Sequence, residues 1–136
     1  MKTSPRSTGY REERILIKSG ISLIAGIDEV GKGVLAGPVI AGAVILPPFP
    51  NQIWTHGIRD SKLMSSNQRL KAFQKIIRHS VAYNCGISSS IEIDRFGISK
   101  ATYLAMERAL KGLNLRPDFL LIDGYPLPSS SIPQKH

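Results

Sequence analysis

The sequence predicts an α/β domain, a mixed sheet flanked by helices. Three observations predict it. Apolar, β-branched runs occur at residues 21–27, around Val39, Ile40, Val44 and Ile45, and at 119–122. Stretches with helical spacing alternate with them. The 136 residues are 42% hydrophobic and 21% charged, an ordinary globular balance with room for one core and not two.

Residues 1–10 are Ser, Thr, Pro and basic residues with little apolar content, so a flexible leader is expected over 1–12. "REERILIKSG" predicts a short helix closed by Gly20, and "ISLIAGID" a buried strand. "VLAGPVIAGAVILPP" predicts a second strand that ends at Pro47 and Pro48 and forms a hairpin with the first around the intervening glycines. "PPFPNQIWTHGI" reads as a loop. Ser65 or Ser66 is the expected N-cap of a helix over 67–81, where Leu70, Phe73, Ile76, Ile77 and Val81 fall at three-and-four spacing opposite most of the cations. "AYNCGISSS" is a third strand, "IEIDRFGI" a turn, and "SKATYLAMERALKGL" a helix ending near Gly112. The unbroken run 119–122 suits a strand covered on both faces and leads into an Asp123-Gly124 turn. Residues 125–136 have no period and read as a loop-like tail.

Eighteen Lys and Arg against ten Asp and Glu leave a formal charge of +8, which draws a small protein toward polyanions or serves solubility alone. Cys85 is the single cysteine, so no intrachain disulfide forms, and the three histidines lack zinc-ligand spacing. No apolar run is long enough to span a bilayer, and charges interrupt the N-terminal segment where a signal peptide would be apolar. The expectation is a cytoplasmic protein away from membranes.

Gly31, Gly33 and Gly37 have neither the dinucleotide-binding nor the P-loop spacing. Gly31, Lys32 and Gly33 can still present N–H groups to a phosphate or sugar hydroxyl, or simply make a hairpin turn. Asp28 and Asp123 each end an apolar strand, where open α/β sheets place ligands. Glu29 points to the opposite face in a regular strand but directly precedes the glycines, where the pleat can break. Carboxylates gathered together repel unless a cation balances them, and an oxygen-only set suits Mg²⁺ or Mn²⁺ over zinc.

"GIDEVGKGVLAGPVIAGAVIL", "DSK", "EIDRFGISKATYLAM" and "RPDFLLIDG" together resemble, in order and spacing from Glu12 to Gly124, the ribonuclease HII family. The resemblance implies a ribonuclease H-like fold over 13–124 and metal-dependent hydrolysis of the RNA strand of RNA-DNA hybrids, with cutting at ribonucleotides embedded in DNA. It implies that Asp28, Glu29 and Asp123 are catalytic metal ligands for Mg²⁺ or Mn²⁺. Gly31, Lys32 and Gly33 would contact the nucleic acid and sense the ribose 2′-hydroxyl. Ser61 and Lys62, beside Asp60, match a block in which Lys62 contacts phosphate or makes a loop salt bridge. The protein would act as a monomer.

Lys32 stands where the family more often has Arg, which keeps the charge and loses the planar fork. Val34 replaces the usual Pro. The family's fourth metal-binding Asp and a later Tyr that stacks on DNA are expected beyond His136. The sequence therefore reads as a partial, C-terminally truncated domain with weak or no cleavage of its own, or as a non-catalytic nucleic-acid-binding fragment. A nucleotide-binding fold of another class is a third reading.

Overall fold

A computed structural model describes residues 11–33, 36–48, 58 and 61–136. Residues 1–10, Val34, Asp60 and the stretch 49–57 lie outside the described residues. In chain order the elements are α1 (Arg11–Lys18), β1 (Ile24–Val30), β2 (Val39–Ile45), a 3-10 turn (Ser61–Leu63), α2 (Ser66–His79), β3 (Ala82–Ser88), α3 (Ser90–Phe96), α4 (Ile98–Lys111), β4 (Phe119–Ile122) and β5 (Gln134–Lys135).

The sheet is mixed, with strand order β3-β2-β1-β4-β5. The expected hairpin pairs β1 with β2 antiparallel, and β3 adds antiparallel to β2. Both β4 beside β1 and β5 beside β4 are parallel. A parallel neighbour requires a crossover, and the segment from β3 through α3 and α4 supplies it.

One face of the sheet carries Ala25, Ile27, Val39, Ala41, Ala43, Ile45, Leu120 and Ile122, all buried. Helix α4 covers it with Ala101, Ala105 and Ala109, spaced four apart on one stripe and fully buried. Small residues on both sides let the helix backbone approach the sheet closely. Three side chains stitch the contact: Ser88 Oγ donates to the Ala101 carbonyl at 2.5 Å, Asn84 Nδ2 to the Ala109 carbonyl at 3.1 Å, and Arg108 to the Ile87 carbonyl at 2.6 Å. The Ser88 bond pairs a hydroxyl that the close packing removes from water, while the Asn84 bond is partly buried and the Arg108 bond lies at the exposed rim.

The stretch 91–98, expected as a turn, instead lies mostly in α3, which spans Ser90–Phe96. Ser89 Oγ accepts from the Glu92 amide while the Glu92 carboxylate accepts from the Ser89 amide, a reciprocal capping box. That device was legible in the sequence as Ser89-x-x-Glu92. The same device starts α2, with Ser65 as N-cap and Gln68 as its partner. Helix α2 ends at His79, before the expected Val81, because Ser80 is extended and the Val81 amide donates to the Ile45 carbonyl at 2.8 Å. The tail differs from a loop: Leu127 is fully buried in the core, and Gln134–Lys135 pair with β4. Gln134 also clamps the Leu127 backbone through its side-chain amide.

Glu92 and Arg108 join α3 to α4 in a bidentate pair at 2.6 and 2.8 Å. The Arg108 guanidinium, helped by the Ser89 amide, holds the Glu92 carboxyl at about 2, down from 4.5. A lowered carboxyl pKa adds stability above the unfolded value, and that stability is lost as pH falls through the folded one. Thermal unfolding should therefore show wild type losing its advantage over Glu92→Gln as pH drops from 4.5 toward about 2. The pair is exposed, so the advantage should also shrink in high salt.

Candidate functional site

Asp28 and Asp123 meet because of register. Ile27 of β1 lies opposite Ile122 of β4, and the ladder continues as the Asp123 amide donates to the Ile27 carbonyl at 3.2 Å. The next residues along the two parallel strands are the two aspartates. Alternation then decides their face: Ala25, Ile27, Leu120 and Ile122 point into the core, so Asp28 and Asp123 share the opposite, open face.

Asp28 is exposed as a residue, yet its carboxyl group is partly shielded, and this burial raises its pKa above the ordinary 3.8. The Glu29 amide opposes the rise by donating to Asp28 Oδ1 at 2.8 Å. The negative charges of Asp123 and Glu29 push it up further. Asp28 thus stands under the repulsion of two neighbouring carboxylates, the electrostatic state that a cation relieves.

Glu29 stays in the regular ladder opposite Ala41, which assigns it to the core side by alternation and leaves it half-buried. Its charge still reaches Asp28 across the strand end. Among the described residues, no group of three or more His, Cys, Asp or Glu side chains converges tightly enough to hold a metal ion. The donor set fits a hydrated hard cation such as Mg²⁺, which takes one or two carboxylates and keeps several waters.

The glycine turn begins where β1 ends. Gly31 has φ +93°, and a Cβ on it would lie 2.5 Å from the Pro38 carbonyl oxygen across the hairpin connection. Both the backbone angle and the close approach require glycine there. Gly31→Ala should cost about 2 kcal/mol or more, read from urea unfolding, since left-handed backbone alone costs an L-residue about 1–2 kcal/mol. Lys32 and Gly33 are exposed beyond it. Ser61 and Lys62 form the 3-10 turn, which Arg69 ties to α2 by donating to the Ser61 and Met64 carbonyls at 3.3 and 2.9 Å.

Sequence reasoning passed over Gly26 and Gly42. Gly42 is the cross-strand partner of Asp28, Gly26 precedes it by two on the same face, and a Cβ on either would meet nothing within 4 Å. Bare backbone flanks the carboxylates, leaving room for a bulky ligand. The signal lay in the hairpin register, which places Gly42 opposite Asp28. A cavity of about 450 Å³ lies elsewhere, at the C-terminal end of α4, and none of the predicted site residues lines it.

The family model described as ribonuclease HII matches residues 25–135. Ribonuclease HII of Dehalococcoides mccartyi is 45% identical over 127 residues, covering 93% of this chain and 60% of that protein. The chain spans roughly half to two thirds of the length of the curated relatives it matches. Among solved structures, the ribonuclease H2 of Pyrococcus horikoshii superposes with a TM-score of 0.65 at 25% identity, covering 74% of this chain and 49% of that one. Bst-RNase HIII in complex with Mn²⁺ superposes with a TM-score of 0.62 at 22% identity, covering 77% and 37%, a likeness of fold.

Proposed function

The chain belongs to the ribonuclease HII family, and from that premise we propose that it carries metal-binding and ribose-reading parts of an endonuclease. The substrate is the RNA strand of an RNA-DNA hybrid, or a ribonucleotide embedded in DNA. The observation that supports this reading is the register of β1 and β4, which sets Asp28 beside Asp123 on an open sheet face next to the glycine turn.

Asp28 and Asp123 would hold Mg²⁺ or Mn²⁺, with Glu29 adding its negative charge from the strand end. When bound, such ions lower the pKa of water and stabilise the oxygens of an in-line phosphodiester displacement, leaving 5′-phosphate and 3′-hydroxyl ends. Burial and the neighbouring negative charges that raise the Asp28 pKa disfavour its bare carboxylate, which a bound cation would stabilise in place of the proton. The Gly31–Gly33 backbone approaches the ribose and reads its 2′-hydroxyl, the group that separates RNA from DNA. Lys32 and Lys62 face phosphate as point charges. Gly26 and Gly42 leave the sheet surface clear for the strand being cut. The chain acts as a monomer in the cytoplasm. Among the described residues, no helix is long and apolar enough to cross a membrane.

The test is hybrid cleavage by the purified chain with Mg²⁺ or Mn²⁺, set against Asp28→Asn. Metal-dependent cutting at a ribonucleotide, lost in the variant, supports the reading. Cutting that survives in Asp28→Asn overturns it. A second reading, nucleic-acid binding without hydrolysis, is favoured by the absence of a three-carboxylate group among the described residues. Hybrid binding with no cleavage under either metal would select it.

A further inference from the structure

Helix α2 is built from SNQRLKAFQKIIRH, with Arg69, Lys71, Lys75 and Arg78 and no acid. These four cations equal half of the chain's formal excess of eight positive charges. Arg69 is engaged locally by the carbonyls of Ser61 and Met64 and the Ser66 hydroxyl. Lys71, Lys75 and Arg78 remain, spaced four and three apart, all exposed, and none paired with an acid among the described residues.

That spacing aligns the three cations on one stripe roughly 10 Å long, at a rise of about 1.5 Å per residue. Like charges four apart weaken a helix by about 0.2–0.5 kcal/mol, and a face that serves only solubility mixes signs. A stripe of one sign suits a ligand with regularly repeated negative charge. Each strand of a duplex carries a phosphate about every 3.4 Å of helix axis, so a stripe of this length laid along the axis spans about three of them.

We infer that Lys71, Lys75 and Arg78 dock the phosphate backbone of a nucleic-acid duplex, outside the carboxylate site. The identity of that duplex as an RNA-DNA hybrid rests on the function proposed above. The apolar arc of α2 points elsewhere. Leu70 and Phe73 are each just over half exposed, but Ile76 and Ile77 are half-buried, so the helix does not offer a whole apolar face to lipid. The 3-10 turn holding Ser61 and Lys62 is tied to α2 through Arg69, which joins the stripe to the block expected to face substrate.

The experiment combines Lys71→Gln, Lys75→Gln and Arg78→Gln, exposed changes to a good helix former. Binding to an RNA-DNA hybrid is measured by fluorescence anisotropy over a salt series, together with binding to phosphatidylserine vesicles and a Mn²⁺ titration. The expected result is at least about tenfold weaker hybrid binding at low salt. The slope of log affinity against log salt should be shallower by up to about 2.7, or 0.9 for each lost phosphate contact. Mn²⁺ binding should stay at the wild-type level. Unchanged affinity and slope overturn the inference, as does loss of vesicle binding alone. A chain that cuts hybrids while the triple variant keeps the wild-type slope sinks the docking surface and spares the hydrolytic reading. A chain that docks through α2 and never cuts does the reverse.

Discussion

Asp123→Asn and Asp28→Asn are each expected to lower divalent-cation affinity by at least about 100-fold and to remove hybrid cleavage. Changing a group that merely supports a metal ligand typically costs about 10–100-fold, so removing the charge of a ligand itself should cost no less. Asn keeps the size and shape of Asp, and both side chains lie on the open face, so packing is untouched. Calorimetric titration with Mn²⁺ measures the loss, and wild-type affinity in either variant would sink the site.

The stability of the same variant separates lost function from lost folding. The folded-state pKa of Asp28 is raised, so the native state binds its proton more tightly than the unfolded chain does. The stability this group lends is full below the unfolded value of 3.8 and disappears as pH rises through the raised one. At neutral pH, in the absence of divalent cations, Asp28→Asn should therefore unfold at a slightly higher temperature than wild type. The difference should vanish in acid. A destabilised Asp28→Asn at neutral pH would mean that the carboxylate supports the fold.

Gly86→Ala should be among the most damaging single methyl additions in the chain. Its Cβ would fall inside contact distance of the Ala105 carbonyl oxygen and the Ala109 amide nitrogen of α4. These are backbone atoms of the helix that covers the core, so relief requires lifting Ala105 and Ala109 away from β2 and β3. Overpacking typically costs about 1–3 kcal/mol, and a clash with backbone belongs at or above the top of that range. Against a total stability of about 5–15 kcal/mol, such a loss should be plain in urea unfolding. Gly42→Ala is the control. Its added Cβ meets nothing within 4 Å, so it should be neutral or slightly stabilising.

Legibility tracked how local the cause was. The hairpin, the Ser65 cap and the end of α4 near Gly112 follow from residues a few positions apart, and all three stand in the structure. Helix α3, expected as a turn, was equally local, because the Ser89 and Glu92 capping box that starts it spans four residues. Burial was the poorer inference. Helix α2 has a clear apolar stripe, yet none of its residues is buried, because a stripe names a face and cannot name the surface that will cover it. The tail had no period to read. Leu127 and Gln134 gain their roles only where β4 offers an unpaired edge.

The sequence by itself determined the chemistry available to this protein: acids at the ends of apolar strands, glycines where the chain turns, an excess of cations and no thiol or imidazole cluster. These follow from residue identity and short-range sterics. Only the tertiary structure decided that Asp123 stands beside Asp28. Strand pairing between residues almost a hundred positions apart is set by the core that α4 closes over β1, β2 and β3, and side chains alternate with a period of two. A shift of one residue between β1 and β4 would have turned Asp123 into the core and left Asp28 alone.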